Sequence, residues 1–93
     1  MTNEYLVRID VERPATVPDA EWDAVMAREA ERARGYRRAG VIVRIWRIPG
    51  TRSNVGIWSA ASASELHDKL SALPAHPYMK IDVQPLAQHY VEL

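Results

Sequence analysis

The 93-residue chain predicts an α+β domain in the order strand, helix, strand, strand, helix, strand. Three observations carry that reading. Apolar and polar residues alternate, as half-buried strands require, at the start of the chain and again from Met79, while residues 41–48 are dense in β-branched side chains and 54–60 read as a second middle strand. Two stretches instead repeat at helical period, one from Pro18-Asp19 to about Arg38 and one from Ser62 to Leu73. Pro49-Gly50 joins the two middle strands as a hairpin. Two strand–helix–strand units joined by a hairpin make the split βαβ, or ferredoxin-like, arrangement: a four-stranded antiparallel sheet with both helices on one face. A chain of this length supports one two-layer core, so residues 1–93 are read as a single domain.

In the first strand Tyr5, Val7, Ile9 and Val11 alternate with Arg8, Asp10 and Glu12, and Pro14 stops the run. Pro18 and Asp19 open the first helix, and Gly40 stands just past its end, where a left-handed residue commonly closes a helix. Gly35 costs about 1 kcal/mol relative to alanine inside a helix, so a close backbone approach is expected there. Strict alternation through the next strand puts Val41, Val43 and Ile45 on one face and Ile42, Trp46 and Ile48 on the other. Both faces are apolar, which predicts a central strand covered on both sides. Ser62 and Glu65 match a capping box opening the second helix, whose buried side is Leu66, Leu70 and Leu73. Pro74 and Pro77 end it and stiffen the path to the last strand, where Met79, Ile81 and Val83 alternate with Lys80, Asp82 and Gln84. The tail from Pro85 onward carries less pattern. With both helices on one face, the other keeps exposed apolar side chains, and such a patch predicts an interface. The expected assembly is an obligate homo-oligomer built from a dimer, packed face to face or through edge strands.

Composition narrows the function. Acidic and basic residues balance at twelve each, which gives no basis for a nucleic-acid partner. The arginines clustered from Arg28 to Arg44 spread around a helix exterior and read as a solvated face. No cysteine is present, so disulfides, zinc–thiolate sites and thiol nucleophiles are excluded together, in keeping with a cytoplasmic location. The start of the chain lacks the pattern of a signal peptide, and no apolar run reaches the ~20 residues that span a bilayer, so no membrane partner is expected. His67, His76 and His89 lack metal-type spacing, and neither a G-x-S-x-G elbow nor a phosphate loop occurs. What remains is cofactor-free acid–base chemistry, or no chemistry.

The first helix holds the best candidate. Trp22, Val25, Met26, Ala33 and Tyr36 form one apolar stripe, and Glu29 falls in its middle. A carboxylate turned toward a core escapes its desolvation through a raised pKa, which is what proton transfer needs. A Glu that reaches solvent from the stripe's edge, or that pairs with an inward Arg, fits the same spacing. Arg52 and Asn54, at the hairpin loop, fit a ligand carboxylate and a ligand carbonyl respectively, though a solvated charge and a turn-forming Asn fit equally. His76, held between two prolines, could line a pocket mouth or pack.

The segments Ile45-Trp46-Arg47-Ile48-Pro49-Gly50, Asn54, Leu66-His67-Asp68-Lys69-Leu70 and Leu73-Pro74-Ala75-His76-Pro77-Tyr78-Met79 resemble the muconolactone Δ-isomerase family. The likeness runs over nearly the whole chain, and L-H-D-x-L followed by L-P-x-x-P-Y is its most specific part. It implies a ferredoxin-like fold, no cofactor, no metal, and large ring-like homo-oligomers, typically decamers. It also implies a small-molecule lactone substrate: a proton moves along muconolactone to give 3-oxoadipate enol-lactone in aromatic catabolism. Related members eliminate chloride from a chlorinated muconolactone after the same proton abstraction. The family's proton-shuttle glutamate aligns with Glu29. The family's loop asparagine is kept as Asn54; with Glu29 as the shuttle, Trp22 and Met26 are expected to form a dry wall beside it, and Arg52 and His76 to stand near the substrate. The chain departs from the pattern at Met26, where a lysine is common, at Thr51-Arg52, usually His-Tyr, and at His76, often an aromatic. These departures bear on which lactone is bound. Two other classes fit the fold: a non-catalytic ligand-binding dimer, and a cofactor-free oxygenase, which would consume oxygen.

Overall fold

Alternation in β1 (Asn3–Val11) sends Tyr5, Val7 and Ile9 to one side of the sheet, where all three are buried. The structure, a computed structural model, describes residues 2–92. After β1 come α1 (Asp19–Arg38), β2 (Ile42–Arg47), β3 (Asn54–Ala60), α2 (Ala63–Ser71) and β4 (Met79–Leu86), with short 3-10 turns at His76–Tyr78 and Tyr90–Glu92. The four strands pair antiparallel in the order β2-β3-β1-β4, the ferredoxin-like topology.

Local chemistry sets the helix ends where the sequence places them. Pro18 precedes α1 in an extended conformation, and Asp19 and Glu21 lie in the first turn, where the helix dipole favours negative charge. At the other end Val41 N–H donates to the Tyr36 carbonyl at 2.9 Å and Gly40 N–H to the Arg37 carbonyl at 3.3 Å. These two bonds make a Schellman closure, with Gly40 at φ 78° as the left-handed residue. In α2 the Ser62 hydroxyl accepts the Glu65 amide at 3.1 Å. The Glu65 carboxylate reaches back to the Ala61 amide at 2.9 Å, one residue beyond the capping serine.

The core lies between the sheet and the helices. Trp58 is enclosed by the sheet and by Tyr36, whose ring meets it edge-on at 5.7 Å. Tyr36 also ties α1 to α2 by donating its hydroxyl to the Lys69 carbonyl at 2.8 Å. Leu66, Leu70 and Leu73 are buried, as the leucine spacing predicts.

Three local expectations are corrected. First, β2 is an edge strand, not a central one, and Trp46 on it remains 45% exposed. Second, its alternation is broken: Ile42 faces Trp58 and Arg44 faces Ile57, so Val43 is an extra, bulged residue. Ile42, Ile45 and Arg47, opposite Trp58, Gly56 and Asn54, therefore share the inner face. Third, Gly35 marks no close approach, because a Cβ there would come only within 3.9 Å of the Arg38 guanidinium. The close approach is at Gly56, where a Cβ would lie 2.8 Å from the Arg44 carbonyl beside the bulge. Among the described residues no helix is long and apolar enough to cross a membrane.

Candidate active site

A cavity of about 550 Å³ opens between α1, the inner sheet face and the β2–β3 loop. Its walls are apolar: Ile9 and Val11 from β1, Ile42 and Ile45 from β2, Leu73, and Met79 at the start of β4. From α1 come Met26, Ala30 and Ala33, with Glu29 among them. The polar side is built by the hairpin, through Arg47, Thr51, Arg52 and Asn54.

Glu29 is partly buried on this wall. Its Oε1 accepts the Ala75 backbone N–H at 2.9 Å. That amide is available because Pro74 ends the helical path, while the neighbouring His76 N–H turns to the Leu73 carbonyl at 3.0 Å. Burial pushes the Glu29 carboxyl above its ordinary pKa, and the Ala75 bond and the Arg32 charge pull it partway back. Glu29 is thus half-buried, and among the described residues no arginine lies within salt-bridge distance of it.

The loop that carries the polar groups is tightly bonded. Thr51 N–H donates to the Ile48 carbonyl at 3.2 Å around Pro49-Gly50, with Gly50 at φ 79°. The Thr51 hydroxyl donates to the same carbonyl at 2.8 Å. Neither Arg47 nor Arg52 has a carboxylate within salt-bridge distance among the described residues. Two guanidinium groups thus face a cavity that contains one carboxylate. The site suits an anionic ligand with an apolar body. Two buried polar atoms on the cavity residues, Asn54 Oδ1 and Trp58 Nε1, also lack a protein partner. Among the described residues no cluster of His, Asp or Glu could hold a metal ion.

Of the residues proposed from sequence, Glu29, Met26, Arg52 and Asn54 line this cavity together. Trp22 and His76 do not. Trp22 is buried against Tyr78, edge-on at 5.4 Å, with the Arg13 guanidinium 5.9 Å from its ring centre. The apolar stripe correctly turned Trp22 inward but toward the Tyr78 end of the core, about two turns from Glu29. His76 sits partly buried in the turn at His76–Tyr78. Sequence reasoning missed Arg47. Its signal was present, since alternation from Ile45 carries Arg47 to the same face at the strand's end.

Comparisons with known proteins give the family. The family described as Muconolactone delta-isomerase matches residues 3–92. A Muconolactone Delta-isomerase of Cupriavidus pinatubonensis is 44% identical over 91% of this chain and 92% of its own. One from Rhodococcus opacus is 40% identical over 91% of each. A crystal structure of muconolactone isomerase superposes with a TM-score of 0.87 at 33% identity, covering 94% of this chain and 91% of that one. The chain therefore belongs to the muconolactone Δ-isomerase family.

Proposed function

We propose that this protein is a cofactor-independent isomerase that converts muconolactone to 3-oxoadipate enol-lactone in aromatic catabolism. The observation that carries the site assignment is Glu29: a carboxyl of raised pKa, oriented by one backbone amide, on the apolar wall of a cavity otherwise edged by cations. Glu29 removes the proton from the ring carbon that bears the carboxymethyl arm. The electron pair delocalises through the double bond onto the lactone carbonyl oxygen. Glu29 then returns the proton to the carbon next to that carbonyl, and the double bond moves by one position. One residue is base and then acid, and its raised pKa matches both tasks. Donors on the hairpin, Asn54 and Arg52, meet the charge that develops on the carbonyl oxygen. Arg47 holds the ligand's carboxylate, while Met26 and the aliphatic walls keep water from the carboxyl.

Incubation with muconolactone in deuterated water, followed by NMR, tests this reading. Deuterium entering next to the lactone carbonyl as product forms is the expected result. Absence of turnover refutes the substrate assignment. The same reading places the protein in the cytoplasm as a homo-oligomer. Its support is the exposed apolar surface of Trp46, Val83 and Leu86 together with the tail residues Tyr90 and Val91. Light scattering that returns a monomer at micromolar concentration would overturn the assembly.

A further inference from the structure

On the sheet face turned away from the cavity, β1 and the hairpin loop are joined by a side-chain bond that the chemistry above does not use. Ile9 stands opposite Asn54 in the β1–β3 ladder, so the next pair outward is Asp10 and Ser53. The Ser53 hydroxyl donates to Asp10 Oδ1. Asp10 is held from its other side by Arg8, whose Nε and Nη2 donate at 3.4 and 3.3 Å. The Ser53 bond, and then Arg8, hold the Asp10 carboxyl below its ordinary pKa, so it is ionised through the neutral range. Ser53 is the buried polar residue among those described, 9% exposed, and each of its polar groups is engaged. Its N–H donates to the Thr51 hydroxyl at 3.0 Å and its carbonyl accepts the Ile48 amide at 3.0 Å. The residues on either side of it, Arg52 and Asn54, both line the cavity.

We infer that Asp10 is a positioning residue: through Ser53 it fixes, from the opposite face of the sheet, the loop that aims Arg52 and Asn54 at the ligand. The inference rests on the proposed reading of those two residues as ligand contacts. Ser53 is bonded away from the cavity while its neighbours Arg52 and Asn54 line it, so a rotation of the backbone at Ser53 displaces both at once. The effect grows along the Arg52 side chain, whose guanidinium stands far from the hinge. The Pro49-Gly50 turn secures the loop's tip but not the segment between Thr51 and Asn54, where the Asp10–Ser53 bond is the tie to β1.

The test uses Asp10→Ala, Asp10→Asn, Ser53→Ala and the Asp10→Ala/Ser53→Ala double variant. Hydrogen exchange is followed at the Ile48 and Ser53 amides, and kcat and KM are measured for muconolactone. Asp10→Ala and Ser53→Ala are each expected to speed exchange at both amides. Each should also lower kcat about tenfold with KM held within about twofold, the signature of contacts that meet the developing charge rather than the bound ground state. Asp10→Asn keeps an acceptor for the hydroxyl and restores kcat, and the double variant is no worse than either single one. Unchanged exchange in folded Asp10→Ala protein overturns the inference, whether or not the protein turns over this lactone. So does a double variant in which the two kcat effects multiply. Failure of the wild-type protein to isomerise the lactone sinks the proposed function alone, and the exchange measurement still decides whether Asp10 holds the loop.

Discussion

Replacing Glu29 by glutamine separates the chemistry of this residue from its structural role. Glutamine keeps a carbonyl oxygen for the Ala75 amide, now met at 2.9 Å, and removes the ionisable oxygen. The retained bond contributes about 0.5–1.5 kcal/mol, and the penalty for a partly buried charge disappears. Glu29→Gln should therefore fold as well as the parent or somewhat better. Alanine removes the acceptor and leaves a backbone donor unpaired beside buried Ala75, at about 1–3 kcal/mol. In a domain of this size each kcal/mol lowers Tm by about 4–8 °C. Catalysis divides the variants differently, because both lose the proton carrier. General acid–base catalysis is worth about 10²–10⁴-fold, and kcat/KM should drop by that amount in each. Thermal melts with an NMR assay of lactone isomerisation read both quantities. A Glu29→Gln protein that keeps more than about a tenth of parental kcat/KM, far outside that range, refutes the shuttle. One that melts as low as Glu29→Ala refutes the account of the Ala75 bond.

Four further outcomes follow from the structure. Because burial raises the Glu29 pKa, its protonated form favours folding; that contribution is complete below the unfolded pKa and is lost as pH rises through the folded one. The Tm advantage of Glu29→Gln over the parent should thus grow from acid toward neutral pH, while kcat/KM rises through the same folded pKa as the base ionises. Arg47→Ala should raise KM for the carboxylate-bearing lactone by about tenfold or more, in the range of a lost charge-assisted bond. The methyl ester should show little difference between the two proteins; equal weakening for acid and ester would remove Arg47 from the carboxylate. Gly56→Ala puts a methyl 2.8 Å from the Arg44 carbonyl and must push β2 aside, lowering stability by about 1–3 kcal/mol in a denaturant titration. Gly35→Ala, with nothing nearer than 3.9 Å, should stabilise by up to about 1 kcal/mol.

Elements with chemical punctuation were legible from sequence. Pro18 and Gly40 bracket α1 at Asp19–Arg38, and Ser62 with Glu65 starts α2. The β2 bulge was not, for a physical reason: Ile42, Val43, Arg44 and Ile45 suit a strand equally in either alternation, so nothing in composition marks Val43 as the extra residue. That miss propagates. Reading Ile42 and Ile45 on opposite faces implied a strand apolar on both sides and hence central, whereas both serve one face of an edge strand. The site divides along similar lines. Helical period fixes the direction of a side chain, so Glu29 and Met26 were placed at the cavity, but period carries no depth, and Trp22 packs on Tyr78 instead. The Asp10–Ser53 bond joins positions far apart in the chain and leaves no trace in local pattern.

The single bond from Ala75 to Glu29 has a stereochemical consequence. With Oε1 held by the loop amide, Oε2 is the oxygen without a hydrogen-bond partner among the described residues, and it is the one available to carry the proton. A carboxyl anchored by one oxygen on one wall approaches a flat ring from one side. On the proposed mechanism, departure and return of the proton share one face of the lactone, and the deuterium that Glu29 takes up from solvent is delivered to that same face.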